Sequence, residues 1–119
     1  MDIRYSTGKE PFKTMTTEQL REEFLIQNIF IENDVTATYS HVDRIVTLGA
    51  MPTDKEIALD KNIDAMGDFG VDFFLERREL GIINIADKGY VKVDGKEYVL
   101  NHYDALYLPM GTKEVLLSS

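Results

Sequence analysis

Apolar and polar residues alternate along the last quarter of the chain. Between Gly89 and Leu100, Val91 and Val93 lie at strand spacing before Asp94-Gly95, and Tyr98 and Leu100 lie at the same spacing after it, as in a tight hairpin. The next apolar segment, 105–108, predicts a further strand. Several short strands separated by turn residues are typical of a closed barrel or jelly roll, because closure removes the exposed edges of an open sheet. The pattern therefore predicts a mostly β protein.

The N-terminal part has a different pattern. Its first ten or so residues are polar, and we expect them to run over the surface. Thr16 and Gln19 have the spacing of a capping box, in which each side chain bonds to the backbone of the other residue. Leu20 and Phe24 then follow at helical spacing. These features predict one short N-terminal helix near residues 17–25.

The segments "IQNIFI" (26–31) and "TATYSHVDRIVTLG" (36–49) are rich in β-branched and aromatic residues. With "ENDV" between them they predict strand, turn, strand. A further strand is expected at 56–59, with a loop or a short helix continuing to Gly67. The segment "VDFFLERRELGIINIADKG" predicts two more strands, one on each side of Gly81.

Length and charge restrict the classes of function. A chain of 119 residues is long enough for one domain, and the absence of cysteine excludes disulfides and thiolate chemistry. The net charge of −8, from 13 basic and 21 acidic residues, argues against a nucleic-acid partner, which requires a basic surface. The start lacks the apolar core of a secretory signal, and the chain has no long apolar run. We therefore expect a cytoplasmic protein with no membrane partner.

Part of the sequence matches the cupin pattern, which has two histidines separated by one residue, then a glutamate and a glycine, and later Pro-x-Gly-x-x-His. Six residues fit this frame: Glu79, Gly89, Gly95, Asp104, Pro109 and Gly111. The histidines are absent from it. Depending on the spacing, their positions hold Phe73 and Leu75 or Asp72 and Phe74, and the last one holds Glu114. A zinc or iron(II) site needs about three protein ligands, so we predict no metal site in this chain.

Two histidines are present in the whole sequence. Strand alternation would place His41, Asp43 and Ile45 on one face of "YSHVDRI". A carboxylate that orients an imidazole is a general acid–base arrangement, so His41 and Asp43 are candidate catalytic residues. A packing or surface role is the alternative. His102 lies in the predicted turn "LNHYD", where we expect it to be solvated.

The segment "ERRE", residues 76–79, follows the predicted strand "VDFFL". Arg77 or Arg78 could bind a carboxylate, because a guanidinium fork matches two oxygens. The alternative is a solvated ladder of ion pairs with the flanking glutamates. No phosphate-binding glycine loop, calcium loop or Ser-His-Asp order is present.

The combination of these segments is more specific than any one of them. "YSHVDRIVTLGAMP", "FFLERRELGIINI", "GYVKVDGKEY" and "DALYLPMGTKEV", after "MDIRYS" and "LREEFLI", resemble the N-terminal part of the 4-deoxy-L-threo-5-hexosulose-uronate ketol-isomerases, also called 5-keto-4-deoxyuronate isomerases. Members of that family are bicupins of roughly double this length. Their zinc ligands, three histidines and a glutamate, lie in the second barrel, and none of them maps onto this chain. The resemblance implies that residues 1–119 form a first, metal-free, cupin-like jelly-roll barrel of a two-barrel protein, without the second barrel.

The resemblance also implies an activity for the complete protein. Family members interconvert 5-keto-4-deoxyuronate and 3-deoxy-D-glycero-2,5-hexodiulosonate in pectin degradation, an aldose–ketose isomerisation that zinc assists by polarising carbonyl oxygens. The present half would act mainly as scaffold, inactive alone, within a homo-oligomer that the resemblance suggests is a hexamer. Because the substrate is a carboxylate, Arg44, Arg77 and Arg78 are candidates for binding it. The alternative is a metal-free cupin module for binding or dimerisation, for instance in sugar sensing.

Overall fold

A computed structural model describes residues 1–119 and contains nine strands and three helices. In chain order these are β1 (Asp2–Arg4), α1 (Lys9–Thr14), α2 (Thr17–Phe24), β2 (Val35–Ser40), β3 (Ile45–Ala50), β4 (Ile57–Ala58), α3 (Ala65–Phe69), β5 (Leu80–Ile83), β6 (Gly89–Val93), β7 (Lys96–Leu100), β8 (Ala105–Leu108) and β9 (Val115–Ser118). None of the helices has the length and apolar composition needed to cross a bilayer.

The strands form three sheets, with orders β1-β2-β3, β4-β9-β6-β7 and β5-β8. Neighbouring strands are antiparallel except β1 and β2, which are parallel. The predicted mostly β, cupin-like class is confirmed, but the sheets do not close into a barrel. Segments 26–31 and 71–75, where strands were predicted, form no strand.

The predicted helix corresponds to α2. The Thr16 hydroxyl accepts from the Gln19 backbone N–H at 3.2 Å, and the Gln19 side-chain oxygen accepts from the Thr16 N–H at 2.8 Å, which completes the capping box. The first ten residues lie at the surface as predicted, since none of them is buried, but the N-terminal part contains a second helix and a strand that were not predicted. Residues 2–4 pair with β2, and α1 follows them. The Arg4 guanidinium also donates to the Leu25 carbonyl at 3.0 Å and so ties the end of α2 to this strand.

The first hairpin turns later in the chain than predicted. Strands β2 and β3 pair from Val35↔Ala50 to Ser40↔Ile45, so the turn lies at residues 41–44 instead of 32–35. The segment 26–31 crosses the face of this hairpin. There the Ile29 carbonyl accepts a hydrogen bond from the Thr36 hydroxyl.

The second hairpin follows the prediction. Strands β6 and β7 pair around Asp94-Gly95, whose φ angles of 47° and 89° match the tight turn expected of this dipeptide. The Asp94 carboxylate accepts from the backbone N–H groups of Lys113 and Glu114 at 3.1 and 2.8 Å. This carboxylate thereby fixes the loop before β9 to the hairpin. Strand β8 has the predicted bounds.

A carboxylate also fixes the start of β2. Asp34 accepts hydrogen bonds from the Val35 N–H at 2.9 Å and from the Asn62 amide at 2.8 Å, and the Lys61 ammonium lies 3.1 Å away. These contacts lower the pKa of Asp34, the Val35 hydrogen bond most strongly. Folding stability from this group is therefore present above the ordinary aspartate pKa and is lost as the pH falls through the lowered value.

The buried core is small for a chain of this length. Its ten residues come from several strands, from the turn after β4 and from the loop before β5: Val35, Ile57, Leu59, Phe74, Leu75, Val91, Leu100, Leu108, Val115 and Leu117. The radius of gyration is 15.7 Å, against about 13.5 Å for a compact domain of this length. Phe30, Ile83 and Ile85 are 44%, 69% and 55% exposed. The apolar segments "IFI" and "GIINIA" thus keep much of their area uncovered.

Candidate functional site

The structure brings two of the candidate residues, His41 and Arg78, into one feature, which we call the arginine–aromatic cluster. It is assembled from the end of β1, the β2–β3 hairpin, α3 and the loop before β5, and consists of Tyr5, Tyr39, His41, Phe69, Phe74 and Arg78. Ring centroids of successive members lie 4.8 to 5.9 Å apart. Aromatic pairs at these distances are mutually stabilising. The cluster therefore joins parts of the chain that are distant in sequence.

Arg78 is the charged member of the cluster. Its guanidinium carbon lies 4.4 Å from the Phe69 ring centroid and 5.6 Å from that of Tyr39, within cation–π range of both. Arg78 is half-buried, whereas Arg77 is exposed. Both arginines line a cleft of about 390 Å³ with Phe69, Val71 and Phe74.

Neither arginine of the "ERRE" segment is paired with a carboxylate. The three ion pairs of the structure are Arg4–Asp2, Lys13–Glu10 and Lys61–Asp34. The alternative of a salt-bridge ladder is therefore wrong, and so is the predicted strand "VDFFL", which is irregular chain. Arg44 lies in the exposed β2–β3 turn with a φ of 53° and does not line the cleft. Two guanidiniums with unused donors thus face one cleft.

His41 and Asp43 do not form the arrangement expected from strand alternation. Both lie in the turn between β2 and β3, where side chains no longer alternate between two faces, and no ion pair joins them. The His41 ring instead stacks on Tyr5 at 4.8 Å and meets Tyr39 edge-on. The imidazole therefore has aromatic neighbours and lacks the carboxylate that would orient it as a general base.

His102 lies in a turn and is exposed, as predicted. Its Nδ1 lies 2.9 Å from the Ala86 carbonyl oxygen, and its ring packs against Tyr103 at 3.7 Å between centroids. His102 therefore helps to hold the turn before β8 against the chain after β5.

The positions that hold metal ligands in cupins do not fit a zinc ion here. Phe74 and Leu75 are buried among apolar side chains, and Asp72 is exposed. Glu114 is exposed, and its backbone N–H is bound to Asp94. No group of three or more His, Asp or Glu side chains lies close enough together to hold a metal ion. The side chains at these positions therefore do not provide the ligands that a zinc site in a cupin barrel requires.

Glu79, the glutamate of the cupin frame, is used on the outer surface. The Tyr107 hydroxyl on β8 donates a short hydrogen bond to the Glu79 carboxylate, and both residues are exposed. This hydrogen bond raises the pKa of the Tyr107 phenol, since ionisation would remove the donor and place a second negative charge beside the carboxylate.

We expect Tyr107 to ionise at higher pH than an ordinary tyrosine, and Glu79→Gln to move its midpoint back down. Because the folded-state pKa is raised, the stability from this contact is complete below the unfolded tyrosine pKa and is lost as the pH rises through the folded value. The measurement is an NMR titration of ring-labelled tyrosine, with Tyr107→Phe to assign the signal. An unchanged midpoint in Glu79→Gln would show that the contact does not persist in solution.

A second cavity of about 450 Å³ lies between the sheets. We call it the apolar groove, since most side chains that line it are aliphatic; they include Leu48, Ala50, Leu59, Ile82, Val91 and Leu117. Its lining contains no aspartate, glutamate, histidine, lysine or arginine. The groove can therefore bury apolar surface, and it offers no carboxylate or imidazole for acid–base or metal chemistry.

Sequence reasoning missed Tyr5, Tyr39 and Phe69 as members of the site. Tyr39 stands two positions before His41, which hinted at a shared face. No sequence signal connects Phe69 with Tyr39, because the contact depends on how α3 packs against the β2–β3 hairpin.

No protein-family model matches the chain. Three curated relatives named 4-deoxy-L-threo-5-hexosulose-uronate ketol-isomerase match it over its whole length. The protein from Bacillus licheniformis is 50% identical over 120 residues, that from Pectobacterium carotovorum is 48% identical over 119, and that from Escherichia coli is 44% identical over 119. The chain spans 42% of the length of each. The resemblance inferred from the sequence motifs is thus confirmed over every segment of the chain.

Proposed function

We propose that this chain acts as the first domain of a ketol-isomerase that converts 5-keto-4-deoxyuronate to 3-deoxy-D-glycero-2,5-hexodiulosonate in pectin degradation. The observation that carries the proposal is 44–50% identity over the whole chain to proteins named 4-deoxy-L-threo-5-hexosulose-uronate ketol-isomerase. Cytoplasmic location and a homo-oligomer, with the six subunits that the family resemblance implies, belong to the same proposal.

The proposal divides the work between two parts of the complete protein. The residues of this chain do not fit a zinc ion, so we assign the zinc and the isomerisation to the remainder of the protein. This chain provides scaffold and a cleft for the substrate carboxylate, in which Arg78 is half-buried, Arg77 adds exposed positive charge, and neither guanidinium is in an ion pair. Arg44 lies outside the cleft, so it contributes only long-range electrostatic attraction of the anionic substrate.

A domain exchange tests the proposal. The 120-residue matching segment of the Bacillus licheniformis relative is replaced by this chain, and the chimaera is assayed for isomerisation of the uronate. We expect turnover of the same order as that of the relative, because half of the residues are identical throughout the segment. Sedimentation of the same chimaera reports its assembly.

The matched control is the same chimaera with a substitution that disrupts the fold of the inserted chain, such as Gly49→Ala. A chimaera that folds and assembles but does not turn over substrate would contradict the proposed function.

A second candidate function is a metal-free binding or dimerisation module. The apolar groove and the exposed side chains of Ile83 and Ile85 favour it, since uncovered apolar area of this kind marks contact surfaces. An inactive but folded chimaera, together with self-association of the isolated chain, would support this function over the isomerase.

A further inference from the structure

Arg78 is held differently from every other cation of the chain. Its guanidinium packs against two rings at once, Phe69 at 4.4 Å and Tyr39 at 5.6 Å. Phe69 in turn contacts Phe74, whose side chain is buried in the core. The guanidinium forms no ion pair with a carboxylate, so its N–H groups remain available to a ligand. The rings therefore orient Arg78 without using its donors.

The charge balance makes this arrangement unusual. Acidic residues outnumber basic ones by 21 to 13, yet no carboxylate lies within ion-pair distance of Arg77 or Arg78. A half-buried guanidinium without an acceptor has lost part of its hydration and has gained no ion pair. An anion that enters the cleft would provide the missing acceptor.

We propose that Arg78 binds the carboxylate of a sugar acid as a bidentate fork, and that Phe69 and Tyr39 are positioning residues that fix the plane of the fork. The choice of a sugar acid rests on the proposed function, whereas the anion site rests on the geometry alone. Arg77 is exposed and contacts no ring, so it attracts the anion without orienting it. Phe69, Val71 and Phe74 provide an apolar wall for the carbon chain of the ligand.

The experiment titrates the chain with D-galacturonate and, as a neutral match of the same ring geometry, with D-galactose, and follows binding by NMR shifts. We expect galacturonate to bind more tightly than galactose. Arg78→Ala should weaken galacturonate binding about tenfold, as loss of a charge-assisted contact does. Arg78→Lys should weaken it as well, because an ammonium keeps the charge but lacks the fork.

Arg77→Ala is the matched control, with the same loss of charge one residue away. Arg77→Ala should change the affinity for galacturonate much less than Arg78→Ala does. Its main effect should be that this affinity depends less on salt concentration. Phe69→Leu keeps an apolar side chain but removes the ring, so it should lower the preference for galacturonate over galactose. Circular dichroism shows whether each variant is folded. If Phe69→Leu does not fold, Arg78→Lys still tests the proposal, because lysine keeps the alkyl stem.

Equal losses in Arg77→Ala and Arg78→Ala, or equal affinity for the two sugars, would overturn the proposal. In the chimaera, Arg78→Ala should raise KM about tenfold and leave kcat nearly unchanged, which is the signature of lost ground-state binding. An inactive chimaera whose inserted chain still prefers galacturonate would refute the isomerase function and leave the anion site standing.

Discussion

Replacing Gly49 by alanine should unfold the chain or destabilise it by at least about 3 kcal/mol, because the new methyl group would overlap backbone atoms that cannot rotate away. Gly49 is buried on β3, opposite Thr36 on β2. A Cβ at this position would lie 1.9 Å from the Ile29 carbonyl oxygen and 2.7 Å from the Ile29 carbonyl carbon. The segment 26–31 would have to leave the hairpin, and the hydrogen bond from Thr36 to Ile29 would be lost.

The matched control is Gly81→Ala in β5. Gly81 is also a strand glycine, but an added Cβ there meets no atom within 4 Å. Its free energy of unfolding should stay within about 0.5 kcal/mol of the parent chain, as is usual for exposed substitutions. Urea denaturation of the three proteins gives the comparison. Equal stability of Gly49→Ala and the parent would show that segment 26–31 does not lie on the hairpin.

The contrast between the two hairpins shows which parts of the fold are local enough to read from sequence. The turn at Asp94-Gly95 is determined by two residues that accept positive φ, so both strands and their register could be predicted. The turn at 41–44 has no such signal, and its positive φ falls on Arg44. Pairing of β2 with β3 and β1 places that turn, and tertiary contacts of this kind override local propensity.

The segments 26–31 and 71–75 show the opposite failure. Both are rich in apolar and β-branched or aromatic residues, and both were predicted as strands. They are irregular because their apolar residues cover other elements: Ile29 lies on the β2–β3 hairpin, and Phe74 and Leu75 fill the core. A short apolar run indicates burial, but it does not indicate which backbone conformation achieves it.

The charged residues of the site could be predicted from the sequence, but their arrangement in space could not. The arginines of "ERRE" were identified because a fork of donors suits a carboxylate, and the choice between anion contact and salt-bridge ladder depended on neighbours in space. Phe69 and Tyr39 contact the Arg78 guanidinium and orient it, and they lie nine and 39 positions before it in the sequence. The pairing of His41 with Asp43 failed because it assumed a strand where the chain turns.

The second prediction with a large expected effect concerns zinc binding and catalytic activity of the isolated chain. The isolated chain should retain no stoichiometric zinc after mild chelation and zinc re-addition, and it should not isomerise the uronate. His41 and His102 lie in turns far apart in the sequence and have aromatic and carbonyl neighbours. The positions expected for further ligands hold Phe73 and Leu75 or Asp72 and Phe74, and Glu114, which cannot complete a zinc site. Charge that develops on the substrate oxygens would meet only Arg77 and Arg78 near the surface, where solvent and salt screen their effect.

The most direct test of this division of work is the zinc content and kcat of the chimaera with His41→Gln and His102→Gln together, measured beside the unsubstituted chimaera and the isolated chain. We expect both chimaeras to hold the same zinc and to have the same kcat, since this chain contributes no ligand, and the isolated chain to hold none. Circular dichroism checks that the double variant is folded. Loss of zinc or of turnover in a folded double variant, or turnover by the isolated chain, would contradict the assignment of the chemistry to the other part of the protein.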